Sequence, residues 1–140
     1  MKTFDVQAVE LDVSSEDAFD YISDPARLPA WTSAFAEAKG EGAVLRTPEG
    51  EVNIGLVVEA AAERGTVDWR MTFPDGSVAV AYSRVVPIAE GRCAYTFVLT
   101  PPPVPLERLE GALAAQSETL KTELRHLKHI LERHEPDGAA

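Results

Sequence analysis

Residues 13–31 read Val-Ser-Ser-Glu-Asp-Ala-Phe-Asp-Tyr-Ile-Ser-Asp-Pro-Ala-Arg-Leu-Pro-Ala-Trp, and this stretch decides the fold. Ser14 or Ser15 caps a helix whose first turn holds Glu16 and Asp17, where the helix dipole favours acids. Ala18, Phe19 and Ile22 give that helix its apolar face. Asp24-Pro25 restarts the chain as a second short helix, because proline suits a first helical position. Pro29 leaves this second helix little room to continue, and Trp31 follows.

Upstream, residues 3–13 read as a strand. Phe4, Val6 and Ala8 alternate first, then the phase moves to Val9, Leu11 and Val13, which predicts a bulge or bend near Ala8. Downstream, the period changes to two, with strands expected at 34–39, 42–47, 51–60, 65–73, 77–88 and 92–100. Turn chemistry separates them: Lys39-Gly40-Glu41-Gly42, Pro48-Glu49-Gly50, Arg64-Gly65, Pro74-Asp75-Gly76 and Glu90-Gly91. Such short breaks predict an antiparallel meander. Pro101, Pro102, Pro103 and Pro105 then hold the chain extended before a long helix from about Leu106 to Glu135.

In that helix Leu106, Leu113, Leu120 and Leu127 recur every seven residues, which invites a coiled coil. The partner positions Leu109, Gln116, Glu123 and Ile130 include two successive polar residues, more than a dimer seam tolerates. The stripe moves on to Leu124 and Leu131, as it does on a straight helix lying against a sheet.

The chain has 140 residues, the size of one domain spanning 1–140, and buries enough surface to fold without staples. A single cysteine, Cys93, excludes an internal disulfide and fits a reducing compartment. The first residues lack the apolar core of a signal peptide, and no apolar run approaches the ~20 residues of a membrane span. A cytoplasmic protein without stable membrane insertion is therefore expected. Thirteen basic against 23 acidic residues give a net charge of −10, which repels phosphate backbones and argues against nucleic acid.

The order of strand, two short helices, six meandering strands and one long helix resembles the helix-grip fold of the START-like or Bet v 1-like (SRPBCC) superfamily. Within it, the chain is most similar to the bacterial polyketide cyclase/dehydrase and lipid-transport group. The likeness is carried by Val9-Glu10-Leu11-Asp12-Val13, by Ser-Ser-Glu-Asp-Ala-Phe-Asp-Tyr-Ile-Ser-Asp-Pro at 14–25, and by Leu28-Pro29-Ala30-Trp31. It implies an α+β architecture in which a seven-stranded curved antiparallel sheet wraps around the C-terminal helix. These motifs are structural, and none matches a family-wide catalytic motif.

In such a fold the concave face of the sheet and the inner face of the last helix make the pocket. Alternation nominates Val67, Trp69, Met71 and Phe73; Val78, Val80, Tyr82, Arg84, Val86 and Ile88; Cys93, Tyr95, Phe97 and Leu99; and Val52, Ile54, Leu56 and Val58. The expected ligand-binding set is Trp31, Trp69, Met71, Phe73, Tyr82, Tyr95, Phe97, Gln116 and Leu120. Apolar, aromatic faces suit a hydrophobic or aromatic ligand. Polar residues on those faces are the discriminating ones. Arg84, Glu123 and Tyr82 form the expected catalytic set, with an internal Arg84–Glu123 ion pair as the structural alternative. His126 and His129 fall off the leucine stripe and His134 at a helix end, so neither a metal nor a cofactor is expected.

Three functions remain open. A small-molecule pocket protein of polyketide cyclase/dehydratase type would act by ligand orientation and proton transfer. A non-catalytic lipid or metabolite carrier needs only the apolar cup. An interaction domain like the Hsp90-activator relatives would use its outer surface. A monomer or a homodimer fits each.

Overall fold

The computed structural model describes residues 3–47, 50–100 and 106–138. Strand β1 (Asp5–Leu11) leads to helix α1 (Ser15–Ile22), a 3-10 turn (Pro25–Arg27) and helix α2 (Leu28–Trp31). Six strands follow, β2 (Phe35–Lys39), β3 (Gly42–Thr47), β4 (Gly50–Ala61), β5 (Thr66–Thr72), β6 (Val78–Ala89) and β7 (Arg92–Leu99), and then helix α3 (Leu106–Gly138). The expected extended prolines 101–105 lie outside the described residues. All neighbouring strands pair antiparallel in the order β1-β7-β6-β5-β4-β3-β2, so β1 closes the meander beside its last strand. The α+β helix-grip architecture is therefore present.

The α1–α2 segment forms for the reasons its residues supply. Ser14 is the N-cap, its side chain accepting from Asp17 N at 3.1 Å. Asp24 caps the 3-10 turn by accepting from Ala26 N at 3.0 Å. One expectation changes: Pro29 lies in the first turn of α2 instead of ending the helix. A proline there removes only an N–H that has no intrahelical partner. Leu28 and Trp31 are thereby turned inward, and both are buried.

A second expectation fails at β1. Its register on β7 runs unbroken from Asp5↔Leu99 to Leu11↔Cys93, with no bulge near Ala8. Asp5, Gln7, Val9 and Leu11 share one face, while Phe4 and Val6 are about half exposed on the other side. The bulge expectation followed hydrophobicity; the pleat, whose period is two, kept its phase and turned two polar residues inward.

The leucine stripe of α3 packs on the sheet. Leu113, Leu120, Leu124, Leu127 and Leu131 are buried, and the helix lies chiefly against β1, with further contacts to α2 and β7. Its C-terminal half is clasped to β1: Lys128 Nζ donates to Glu10 O at 3.0 Å, and Glu132 accepts from Asp12 N at 2.9 Å. Among the described residues, no helix is long and apolar enough to cross a membrane.

Candidate ligand-binding site

The concave layer is built by cross-strand neighbours on the inner face. Val9 stands opposite Tyr95, which stands opposite Val85; Gln7 stands opposite Phe97, which stands opposite Ser83. On the other side of β6, Trp69 pairs with Ala81 and Val58. Trp31 descends from α2 and meets Tyr95 edge-on, with ring centroids 6.3 Å apart and planes at 82°. Tyr95 meets Phe97 in the same manner at 6.4 Å and 76°. Trp31, Trp69, Tyr95, Leu120 and Leu124 belong to one buried cluster, with Met71, Phe73 and Phe97 half-buried against it.

Three polar atoms in this layer are buried without a hydrogen-bond partner: Trp31 Nε1, Trp69 Nε1 and Tyr95 Oη. Leaving such a group unsatisfied costs roughly 1–3 kcal/mol. Burial pushes the Tyr95 phenol far up, while Ser83 and Trp69 nearby pull it the other way without completing a hydrogen bond to the hydroxyl. Ser83 is committed elsewhere, its Oγ donating to Val67 O at 2.5 Å. Tyr95 therefore stays protonated at neutral pH. The interior thus offers two indole N–H donors and one phenol inside an aromatic wall.

At the rim, Glu123 accepts from both Ser33 N (2.6 Å) and Ser33 Oγ (2.9 Å), and Arg46 Nη1 donates to Ser33 O at 3.0 Å. Glu123 thus ties α3 to the α2–β2 connection. It does not pair with Arg84, whose Nε donates to Arg64 O at 2.9 Å on the outside of the sheet. Arg84 and Tyr82 are exposed, on the face of β6 opposite the helix. The reason is volume. β6 turns the small Ala81 and Ser83, with Val85, inward beside Trp69 and Tyr95, and its larger Tyr82 and Arg84 point out. Gln116 is also exposed, on the solvent side of α3.

Of the expected site residues, Trp31, Trp69, Met71, Phe73, Tyr95, Phe97 and Leu120 lie in or against the buried cluster, whereas Tyr82, Arg84 and Gln116 are exposed. The sequence reading also passed over a polar cluster at the open end of the same layer. Asp5, only 6% exposed, accepts from Gln7 Nε2 at 2.5 Å and from Ser117 Oγ; Gln7 Nε2 also reaches Ser117 Oγ at 3.0 Å. These three residues, with Leu113, Ala114, Glu118 and Lys121, line a groove of about 400 Å³ between β1 and α3. Carrying the alternation of Val9 and Leu11 back in phase would have found Asp5 and Gln7. A second groove, of about 630 Å³, lies between α1 and the β4–β5 turn, with Arg64 and Arg84 on its wall. Among the described residues, no group of three histidine, cysteine or carboxylate side chains is placed to hold a metal.

Residues 3–132 match the family described as polyketide cyclase / dehydrase and lipid transport. The chain belongs to that family. No curated protein matches the sequence. Among solved structures, a START superfamily protein from Mycobacterium smegmatis is 15% identical, with a TM-score of 0.66 over 94% of this chain and 99% of that one. The Zhui aromatase/cyclase from a Streptomyces is 11% identical, with a TM-score of 0.71 over 93% of each chain. The di-domain ARO/CYC BexL is 14% identical, with a TM-score of 0.68; the match covers 94% of this chain and 47% of BexL. At such identities the family's fold is shared, and residue roles rest on this chain's own geometry.

Proposed function

We propose that this family member binds a small hydrophobic or aromatic molecule carrying an acceptor oxygen, held between the concave sheet and α3. The observation that carries this reading is that Trp31 Nε1, Trp69 Nε1 and Tyr95 Oη are all buried without a hydrogen-bond partner within one aromatic cluster. Indole N–H groups can only donate, so they select a carbonyl or ether oxygen and have nothing to offer an ammonium. Trp31, Trp69, Met71, Phe73, Tyr95, Phe97 and Leu120 would contact the apolar body. Few convergent polar groups in a largely apolar enclosure is the common pattern of small-molecule sites.

A polyketide cyclase/dehydratase-type activity is the second reading, favoured by the presence of those buried donors. Such donors would stabilise the oxygen of a developing enolate during aldol-type closure, with the chain's fold in the site directing which carbons meet. Tyr95, held protonated by its burial, would serve as a hydrogen-bond donor and not as a base. The outward placement of Tyr82 and Arg84 removes them from this role and favours binding without chemistry. Native mass spectrometry of freshly purified protein tests the proposal. A co-purifying small molecule released by organic extraction is the expected result. Clean apo protein that also ignores added aromatic ketones would contradict it.

A further inference from the structure

The groove between β1 and α3 sits on the same inner face as the aromatic interior, two residue steps along each strand. Gln7 stands directly opposite Phe97, and Asp5 opposite Leu99. Directly opposed side chains have Cβ atoms about 4.5–5.5 Å apart, so the polar cluster adjoins the ring that meets Tyr95. Along β1 the inner face is apolar at Val9 and Leu11 and polar at Gln7 and Asp5. Further along the same face the strand buries an apolar residue, Leu11.

We infer that Asp5, Gln7 and Ser117 form a subsite at the mouth of the grip that takes a hydrogen-bond-donating head group, a hydroxyl or a protonated amine, on a ligand whose apolar body lies on Phe97. The inference rests on the ligand-binding reading above and adds the opposite end of the molecule to it. The hydrogen-bond inventory sets the chemistry. Gln7 Nε2 spends its donors on Asp5 and Ser117, and the Ser117 proton goes to Asp5. Lys121 at the rim is engaged by Glu118 at 2.9 Å. Among the described residues, Gln7 Oε1 makes no hydrogen bond, and Ser117 Oγ keeps a second lone pair. What Gln7 and Ser117 have left to offer is acceptors. The interior, with its indole donors, offers the reverse, so the two ends together specify a molecule with an acceptor oxygen inside and a donor group at the mouth.

Isothermal titration of the full chain with three naphthalenes of one shape tests this: 2-naphthalenemethanol, 2-naphthylmethylamine and 2-(methoxymethyl)naphthalene. The alcohol, the amine or both should bind about tenfold more tightly than the ether, the equivalent of one net hydrogen bond. Which of the two leads tells hydroxyl from ammonium. Ser117→Ala and, separately, Gln7→Met should erase the preference. Equal affinity for all three in the wild type overturns the inference and leaves the ligand-binding reading standing. A preference that persists in both variants, with only their melting temperatures lowered, makes the cluster a structural clasp and also overturns it. If none of the three binds the wild type, the ligand-binding reading itself fails.

Discussion

Gly65 turns the chain from β4 into β5 at φ +75°, and an added Cβ there would meet Val85 O at 2.1 Å. That oxygen is backbone, and the strands are locked by the Val85 N to Gly65 O hydrogen bond of 2.7 Å, so neither side can yield. Gly65→Ala should cost more than ~1 kcal/mol in urea unfolding. Gly91→Ala, with open space around its Cβ, meets only the conformational penalty and should cost less. Tyr95→Phe should have the opposite sign. Removing a buried hydroxyl without a partner should leave the apo protein as stable or more so, while weakening binding of an aromatic ketone. At this scale the sequence was legible where a residue's chemistry is local, as in the Ser14 cap, Asp24-Pro25 and Gly65. It was misleading where volume on neighbouring strands decides. Ala81 and Ser83 look like a solvent face until Trp69 and Tyr95 are seen filling the space beside them.

The long helix α3 is the element whose pattern was easiest to read, because five leucines at helical spacing have one way to be buried together. Leu127→Ala should cost about 2–5 kcal/mol, since its side chain is fully enclosed. Gln116→Ala should change stability by no more than ~0.5 kcal/mol, because Gln116 lies on the solvent side of the helix. The clasp of α3 on β1 also predicts a pH dependence. Burial pushes the Glu132 carboxyl up, but hydrogen bonds from Lys128 and Asp12 N and the charges of Lys128 and His129 outweigh it, leaving its pKa below the ordinary 4.5. A carboxyl lowered on folding stabilises fully above its unfolded pKa and loses that contribution as pH falls through the folded one. Stability should therefore decline as pH drops below about 4.5, and Glu132→Gln should flatten that part of the curve in melts at stepped pH. Strand β1 was the harder element. Exposed Phe4 just before it, exposed Val6 and buried Asp5 invert the usual pattern, so a reading by hydrophobicity placed a bulge where none exists.

At the scale of the whole molecule, the order of elements carried the fold. A capped helix after one strand, a meander with glycine turns and a final amphipathic helix leave few ways to cover a single concave face. The site was only partly legible for the same reason. Which residues line the interior follows from strand phase, and phase is dictated by cross-strand packing that no single strand reveals. The central claim is that Trp31, Trp69 and Tyr95 present unpaired donors to a ligand oxygen. The chain has two tryptophans, so its two indole N–H signals report on that claim directly. Titration of 15N-labelled protein with 2-acetylnaphthalene, followed by two-dimensional NMR, should move both indole signals downfield as they gain a carbonyl acceptor. The isosteric 2-isopropenylnaphthalene, which has no oxygen, should leave them without that downfield shift. Indole signals that stay in place at saturating ketone, or that respond identically to both compounds, would contradict the account.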